Sequence, residues 1–164
     1  KMLSDYWLKI EDLSRSTNKD KRDATYSELV SPFNTKLHAL SGDKTVEIGR
    51  MGEDEKERIS NSGLPSLDSI ITRWDSTTGI EHVELDYKPI SRKHGIVCPT
   101  ETGEFEYRDI ETNLYGTIYN GNPMEKGAIV TLKHGDALTF GGHQKGDDKF
   151  RITFYQESRL TKSK

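Results

Sequence analysis

The 164-residue sequence lacks the features that mark several common protein classes. Its single cysteine, Cys98, excludes an intramolecular disulfide framework and weakly favours a reducing compartment. No run approaches the roughly 18 consecutive apolar residues that a membrane helix needs, and no signal segment opens the chain. We therefore expect a soluble protein with no membrane partner, in which Cys98 is a buried, inert thiol.

Charge of one sign is also lacking, because 24 basic residues nearly balance 27 acidic ones and leave a formal net charge of -3. This balance predicts no direct binding to nucleic acid, so any anion site must be local. The histidines show no close ligand spacing to one another or to Cys98, so we predict neither a metal nor another cofactor. No pair of carboxylates stands out as a general acid and base, so nothing in the sequence requires an enzyme.

The apolar residues are few, at 32% of the chain, but they fall in short alternating runs. Such runs, separated by turn-forming residues, are typical of half-buried strands and predict an all-β fold, an antiparallel β-sandwich. The alternating apolar pairs and triplets are Val83 and Leu85, Phe105 and Tyr107, Leu138 and Phe140, and Phe150, Ile152 and Phe154.

The rest of the chain gives the predicted boundaries. Residues 1–33 are expected to be an extension or a first strand, followed by a mobile loop. The segment around Trp7 is either an edge strand or a packed extension. Residues 34–157 form the sandwich, and its first hairpin turns at 41–43 and ends at Arg50. The segment 51–79 loses alternation and is predicted to leave the sandwich as an insertion. Residues 158–164 are a polar tail, and we expect the chain to be an excerpt from a longer protein.

One stretch concentrates phosphate-binding groups: Ser91, Arg92, Lys93 and His94 directly precede a small apolar run. Arg50 follows a glycine at a predicted strand end, where its guanidinium fork suits phosphate oxygens. Each residue also has an ordinary interpretation: the arginines and Lys93 as solvated surface cations, and Ser91 as a turn residue. Because side chains alternate along an extended chain, at most one of Arg92 and Lys93 points to the same side as Ser91. For His94 we favour a structural ring that braces the loop by hydrogen bonds over a metal or catalytic role.

Taken together, these motifs resemble the forkhead-associated (FHA) domain, a phosphothreonine-binding module. The resemblance runs from about residue 44 to 140, and weakly to 155. Its marks are Gly49-Arg50, Ser91-x-x-His94, Asp109 with Thr112-Asn113, Gly116-Thr117 with Asn120-Gly121, and the stretch from Leu132 to Gly141. Two departures from the family are the Leu114-Tyr115 insertion, which lengthens the loop after Asn113, and a longer segment between Arg50 and Ser91.

The resemblance implies a sandwich of about eleven strands that binds phosphothreonine proteins or peptides with loops at one end. It implies phosphate contacts from Arg50, Ser91 and Thr112, help from Arg92, a peptide-backbone contact from Asn113 and loop bracing by His94. It also implies a role in signalling or complex assembly inside the cell, in the nucleus more than the cytoplasm. The alternative function is a carbohydrate-binding module, with stacking platforms Trp7, Trp74, Tyr87 and Tyr115.

Overall fold

The computed structural model describes residues 5–15, 35–53, 69–141 and 148–159. Two six-stranded sheets face each other, with strand orders β2-β1-β12-β11-β8-β9 and β10-β7-β6-β3-β5-β4. The strands are β1 Tyr6–Asp12, β2 Thr35–Ala39, β3 Thr45–Arg50, β4 Ile70–Asp75, β5 Ile80–Leu85, β6 Gly95–Pro99, β7 Phe105–Asp109, β8 Ile118–Tyr119, β9 Asn122–Pro123, β10 Ile129–Thr131, β11 Ala137–Gly141 and β12 Asp148–Gln156. Short 3-10 turns follow β1, at Leu13–Arg15, and β12, at Glu157–Arg159. The predicted β-sandwich is therefore confirmed, with twelve strands in the described residues.

One pairing departs from the antiparallel pattern predicted from the sequence. β3 and β5 run parallel, with Thr45 opposite Ile80 and Arg50 opposite Leu85, whereas every other pairing in the described ranges is antiparallel. The parallel pair arises because β4 lies between the two in sequence, and it pairs with β5 as the outer strand of that sheet.

The core between the sheets contains the residues that alternation predicted. All nine apolar residues of the predicted half-buried strands are at most 3% exposed, as expected for strands with one face on a core and the other in water. They pack with apolar residues of β1, β3 and β6 into one cluster. Its other members include Leu8, Ile10, Val46, Ile48 and Val97.

The predicted hairpin over 33–50 is wrong. β2 pairs with β1 in the first sheet, whereas β3 pairs with β5 and β6 in the second. The residues between them do turn, and the Lys44 N–H donates to the Ser41 carbonyl at 3.3 Å. This turn carries the chain from one sheet to the other, because the composition of a turn does not decide which sheet the next strand joins.

The prediction that 51–79 leaves the sandwich is wrong for β4, Ile70–Asp75. β4 pairs with β5 over its whole length, and Ile70 is buried in the core. Buried and exposed residues alternate only weakly in β4, because this strand lies at the edge of its sheet and both Arg73 and Trp74 are exposed. Residues 54–68 lie outside the described residues.

The sandwich includes β1, which lies within residues 1–33, where a first strand was one of the two alternatives. β1 lies between β2 and β12, so the strand that contains Trp7 is an inner strand and not an edge. Leu8 and Ile10 on β1 are fully buried. The predicted mobile loop begins at Ser14, and of it only Ser14 and Arg15, in the short 3-10 turn, belong to the described residues. Residues 160–164 of the polar tail fall outside the described residues.

The sheet that contains β3, β6 and β7 positions two loops side by side. Ile48 near the end of β3 lies opposite Gly95 at the start of β6, and Gly95 lies opposite Asp109 at the end of β7. The first loop, residues 86–94 before β6, and the second loop, residues 110–117 after β7, therefore emerge at the same end of the sandwich. None of the elements within the described ranges is a helix long and apolar enough to cross a membrane.

Candidate functional site

Arg50 ends β3 directly beside the loop that leads into β6. Its backbone N–H donates to the Ser91 carbonyl at 3.0 Å. Its guanidinium Nη1 lies 3.1 Å from the Lys88 carbonyl and 3.4 Å from the Ile90 carbonyl. A guanidinium has five N–H donors, so these contacts hold the side chain at the loop and leave other donors for an anion.

Gly49 permits this loop to lie against β3. A Cβ atom placed on Gly49 would lie 1.7 Å from the carbonyl oxygen of Arg92 and 3.3 Å from that of Ser91. Real Cβ contacts essentially never come under 3.0 Å. Glycine is therefore required at 49 because the backbone of the loop occupies the space of a side chain.

Ser91 links the two loops. Its hydroxyl oxygen accepts a hydrogen bond from the Leu114 N–H at 3.0 Å. A serine hydroxyl has one proton to donate as well as its acceptor lone pairs. In this contact Ser91 therefore keeps its O–H for another acceptor, such as a phosphate oxygen.

His94 lies beneath both loops and is 1% exposed. Its Nδ1 accepts the Ser91 backbone N–H at 3.2 Å, and its Nε2 lies 2.8 Å from the Gly116 carbonyl. Because Nδ1 faces a donor and Nε2 an acceptor, the ring must be neutral with its proton on Nε2. Burial lowers the pKa of His94, and the hydrogen bond to Gly116 and the charge of Asp109 oppose that shift only in part.

Asn113 is an internal residue of the second loop, with 2% of its surface exposed. Its Nδ2 donates to the His94 carbonyl at 3.1 Å and to Asp109 Oδ1 at 3.0 Å. Its Oδ1 accepts the Gly116 N–H at 2.7 Å. These contacts are all within the fold, so the peptide-backbone contact that the resemblance implied for Asn113 stays a prediction.

Asp109 is the buried centre of this polar network. Its Oδ1 accepts from the Thr117 hydroxyl at 2.7 Å and from the Tyr107 hydroxyl at 3.3 Å, besides Asn113. Its Oδ2 accepts the Gly127 N–H at 3.4 Å. Burial raises the pKa of the Tyr107 phenol well above its ordinary value, so this hydroxyl acts as a neutral donor.

The remaining predicted site residues lie at the surface. Arg92 and Lys93 are both exposed, and Thr112 is exposed in the second loop. Within the described ranges, no hydrogen bond joins the Thr112 side chain to Arg50 or Ser91. The structure thus brings Arg50, Ser91 and the backbone of Arg92 together directly and leaves Thr112 at the outer side of the second loop.

Two contacts of this site were not predicted from the sequence. Lys126 is exposed and donates from Nζ to the Leu114 carbonyl at 2.9 Å. Asp109 and Thr117 were noticed as motif residues, but their shared hydrogen bond was not. An Asp at the inward-facing end of an alternating strand is the one local sequence signal of the Asp109 network. The Lys126 contact joins residues 12 positions apart and has no local sequence signal.

The described residues offer no candidate for a metal site. The described ranges contain no group of three or more His, Cys, Asp or Glu side chains that could hold a metal ion. Cys98 is half-buried on β6, less buried than predicted. Partial burial raises the pKa of its thiol and so disfavours the reactive thiolate.

The comparisons with known proteins agree with this fold. The family model described as "FHA domain" matches residues 76–141, a range that includes Ser91 and the second loop but not Arg50. No curated protein matches the chain. Among solved structures, the yeast Pml1 splicing factor is similar with a TM-score of 0.56 and 16% identity, over 92% of this chain and 78% of that one.

Two further structures show the same architecture. Full-length yeast Pml1p is similar with a TM-score of 0.54 and 18% identity, over 92% of this chain and 80% of that one. The MEK1 FHA domain is similar with a TM-score of 0.50 and 16% identity, over 93% and 90% of the two chains. The resemblance to the FHA domain, a binding module, is therefore confirmed by the matching segment and by the shared fold.

Proposed function

We propose that this protein binds phosphothreonine-containing proteins or peptides through Arg50 and Ser91, and that it acts in complex assembly and not as an enzyme. The observation that supports this most is the 3.0 Å hydrogen bond from the Arg50 N–H to the Ser91 carbonyl. It holds next to each other the backbones of two residues, one of which carries a permanent cation and the other a hydroxyl donor. The match of residues 76–141 to a family of phosphothreonine-binding modules supports the same conclusion.

The chemistry of a phosphate suits this pair. A phosphothreonine has a charge of about -1.5 to -2 at neutral pH and three strong acceptor oxygens. The Arg50 guanidinium supplies charge and a planar fork, and the Ser91 O–H supplies a neutral donor. No metal is needed, because a guanidinium with hydroxyl and backbone donors can satisfy the phosphate oxygens.

The surroundings of the site favour an anion although the whole chain is acidic. Lys88, Arg92 and Lys93 are exposed on the first loop, and Lys126 is exposed beside the second. Asp86, Glu111 and Glu125 are exposed on the same segments, so these cations act on an anion through direct short-range contacts and not through a net field. We propose Arg92 as an accessory phosphate contact and His94 and Asn113 as residues that hold the two loops in place.

The carbohydrate alternative has less support from the arrangement of the aromatic residues. Trp7 lies on β1 and Trp74 on β4, in different sheets. Trp7 donates to Glu157 at 3.1 Å, and Lys44 lies 4.8 Å from the centre of the Trp74 ring. Tyr87 packs against the core. Stacking on a sugar needs platforms on one surface, and these side chains do not form one.

The test is isothermal titration calorimetry with the best peptide from a phosphothreonine library, in phosphorylated and unphosphorylated forms. We expect binding of the phosphorylated form alone. Since hydrogen bonds to charged groups contribute roughly 1.5–3 kcal/mol, Arg50→Ala should weaken binding by about ten- to a hundredfold or more. Arg50→Lys should recover part of this loss, because it keeps the charge without the fork.

Arg108→Ala is the matched control, since Arg108 is a half-exposed arginine on β7 that pairs with Glu106 on the same strand. It should bind as wild type does. Equal affinity for the two peptide forms, or an Arg50→Ala protein that binds normally, would overturn the proposal. The partner's identity is a separate question, and its intracellular and preferably nuclear location stays a prediction from the family resemblance.

A further inference from the structure

Two large apolar side chains are exposed beside the proposed phosphate site. Leu114 is 63% exposed and Tyr115 is 38% exposed, next to each other in the second loop. They are the insertion that separates Asn113 from Gly116. Exposed apolar side chains that adjoin a polar site mark an interaction surface when they are held in place, so the backbone around them decides what they can do.

The backbone at Leu114 is fixed from two directions. Its N–H donates to Ser91 Oγ at 3.0 Å, and its carbonyl accepts from Lys126 Nζ at 2.9 Å. The Gly116 carbonyl that follows lies 2.8 Å from the buried His94 ring. The Leu114 side chain is therefore held out toward solvent by a braced loop, and a ligand that contacts it need not order the loop first.

The distance to Ser91 places Leu114 within reach of the residues that flank a bound phosphothreonine. An extended peptide rises about 3.3 Å per residue. With the phosphate on Ser91 Oγ, which accepts the Leu114 N–H at 3.0 Å, the two residues on either side of the phosphothreonine lie within about 7 Å of it along the peptide. A large side chain at one of these positions is therefore within reach of the Leu114 side chain. The other exposed side chains of the two loops are polar or charged, as Arg92, Lys93 and Glu111 are, so an apolar contact on these loops belongs to Leu114 and Tyr115.

We infer that Leu114, with Tyr115, selects phosphothreonine peptides that have a large apolar residue within two positions of the phosphothreonine. This inference rests on the proposed function. Burial of one apolar side chain against Leu114 should raise affinity about three- to thirtyfold over a serine at the same position. The phosphate contacts supply binding, and the apolar contact supplies the preference among phosphorylated partners.

The experiment uses an oriented phosphothreonine peptide library with the three positions on each side randomised, followed by calorimetry on single peptides. Wild type should select Leu, Ile, Met or Phe at one position within two residues of the phosphothreonine. Leu114→Ala should reduce that preference to less than about threefold and still discriminate phosphothreonine from threonine. Tyr115→Ala should reduce it in part.

Leu37→Ala is the matched control, because Leu37 is a 53% exposed leucine on edge strand β2 and should leave the preference unchanged. The inference is overturned if wild type has no apolar preference, or if Leu114→Ala selects the same residues as wild type. If phosphorylated peptides still bind more tightly than unphosphorylated ones in these cases, the proposed phosphothreonine binding stands. Equal binding of phosphorylated and unphosphorylated peptides would instead overturn the proposed function and this inference with it.

Discussion

The carbonyl oxygen of Arg92 occupies the space of the side chain that Gly49 does not have, 1.7 Å from the position of a Cβ atom. Because the obstructing atom is backbone, Gly49→Ala must push the first loop away from β3. We expect this to break the Arg50 to Ser91 hydrogen bond, to cost about 1–3 kcal/mol of unfolding free energy and to weaken phosphopeptide binding at least about tenfold. Denaturant unfolding and calorimetry measure the two effects.

Gly42→Ala is the matched control for this substitution. A Cβ atom on Gly42 would meet no atom within 4 Å, and Gly42 lies in the turn between β2 and β3. It should leave both stability and phosphopeptide affinity close to those of wild type. If Gly49→Ala behaved as Gly42→Ala does, the loop would not depend on its contact with β3.

The buried neutral ring of His94 predicts a pH dependence of stability. Its pKa is lowered in the folded protein, so the unfolded chain binds the proton more tightly and stability must rise with pH in the window between the two pKa values. The contribution is fully present above the unfolded pKa of about 6.5 and is lost as the pH falls below it. Protonation of Nδ1 would also set two donors against each other at the Ser91 N–H.

The measurement is urea unfolding of wild type and His94→Gln between pH 7.5 and 5. The other four histidines are present in both proteins, so the difference between the two curves belongs to residue 94. Wild type should lose its advantage over the variant as the solution is acidified. An advantage that stays constant or grows on acidification would contradict a neutral, buried His94.

The core strands could be predicted from the sequence because period-two alternation reports directly which residues face inward. This succeeded for Phe105 and Tyr107, and for Phe150 and Ile152. It failed for β4, where the edge of a sheet leaves two consecutive residues, Arg73 and Trp74, exposed and so interrupts the alternation. It also failed between β2 and β3, since turn chemistry at 41–43 specifies a change of direction but not the sheet that receives the next strand.

The site was predictable in its residue types but not in its contacts. Arg50, Ser91 and His94 stand out because charged and hydroxyl groups collect at strand ends. The reason for Gly49 could not be seen, because its neighbour Arg92 lies 43 positions away in the sequence. The burial of Asn113 was equally hidden, since its partners His94 and Asp109 become neighbours only when β6 pairs with β7.

The placement of β4 leads to a third prediction. Ile70 is 3% exposed, so Ile70→Ala should lower the free energy of unfolding by about 2–5 kcal/mol. Ile129→Ala is the control on edge strand β10 of the same sheet, where Ile129 is 54% exposed. It should change stability by less than about 0.5 kcal/mol. Equal and small effects from both would place residue 70 outside the cooperative core.

The last prediction separates Asn113 from Thr112, to which the resemblance gives direct contacts with the ligand. Asn113→Ala leaves the Gly116 N–H without its partner and removes a donor to Asp109 Oδ1, whereas the His94 carbonyl keeps its hydrogen bond from the Ile110 N–H. It should therefore lower stability by about 1–3 kcal/mol together with phosphopeptide affinity. Thr112→Ala changes an exposed side chain and should leave stability within about 0.5 kcal/mol of wild type. Thermal unfolding and calorimetry on the same protein samples separate the two effects.

Asn113→Asp then distinguishes the internal role of Asn113 from a direct contact with peptide. It keeps an oxygen for the Gly116 N–H but removes the donor to Asp109 and sets two carboxylates about 3 Å apart, where like charges repel strongly. An internal role therefore predicts that Asn113→Asp is at least as destabilising as Asn113→Ala. If its only role were to accept a hydrogen bond from the peptide, the aspartate would be tolerated. Near-normal stability of Asn113→Asp with reduced binding would thus move Asn113 from the interior of the loop to the ligand.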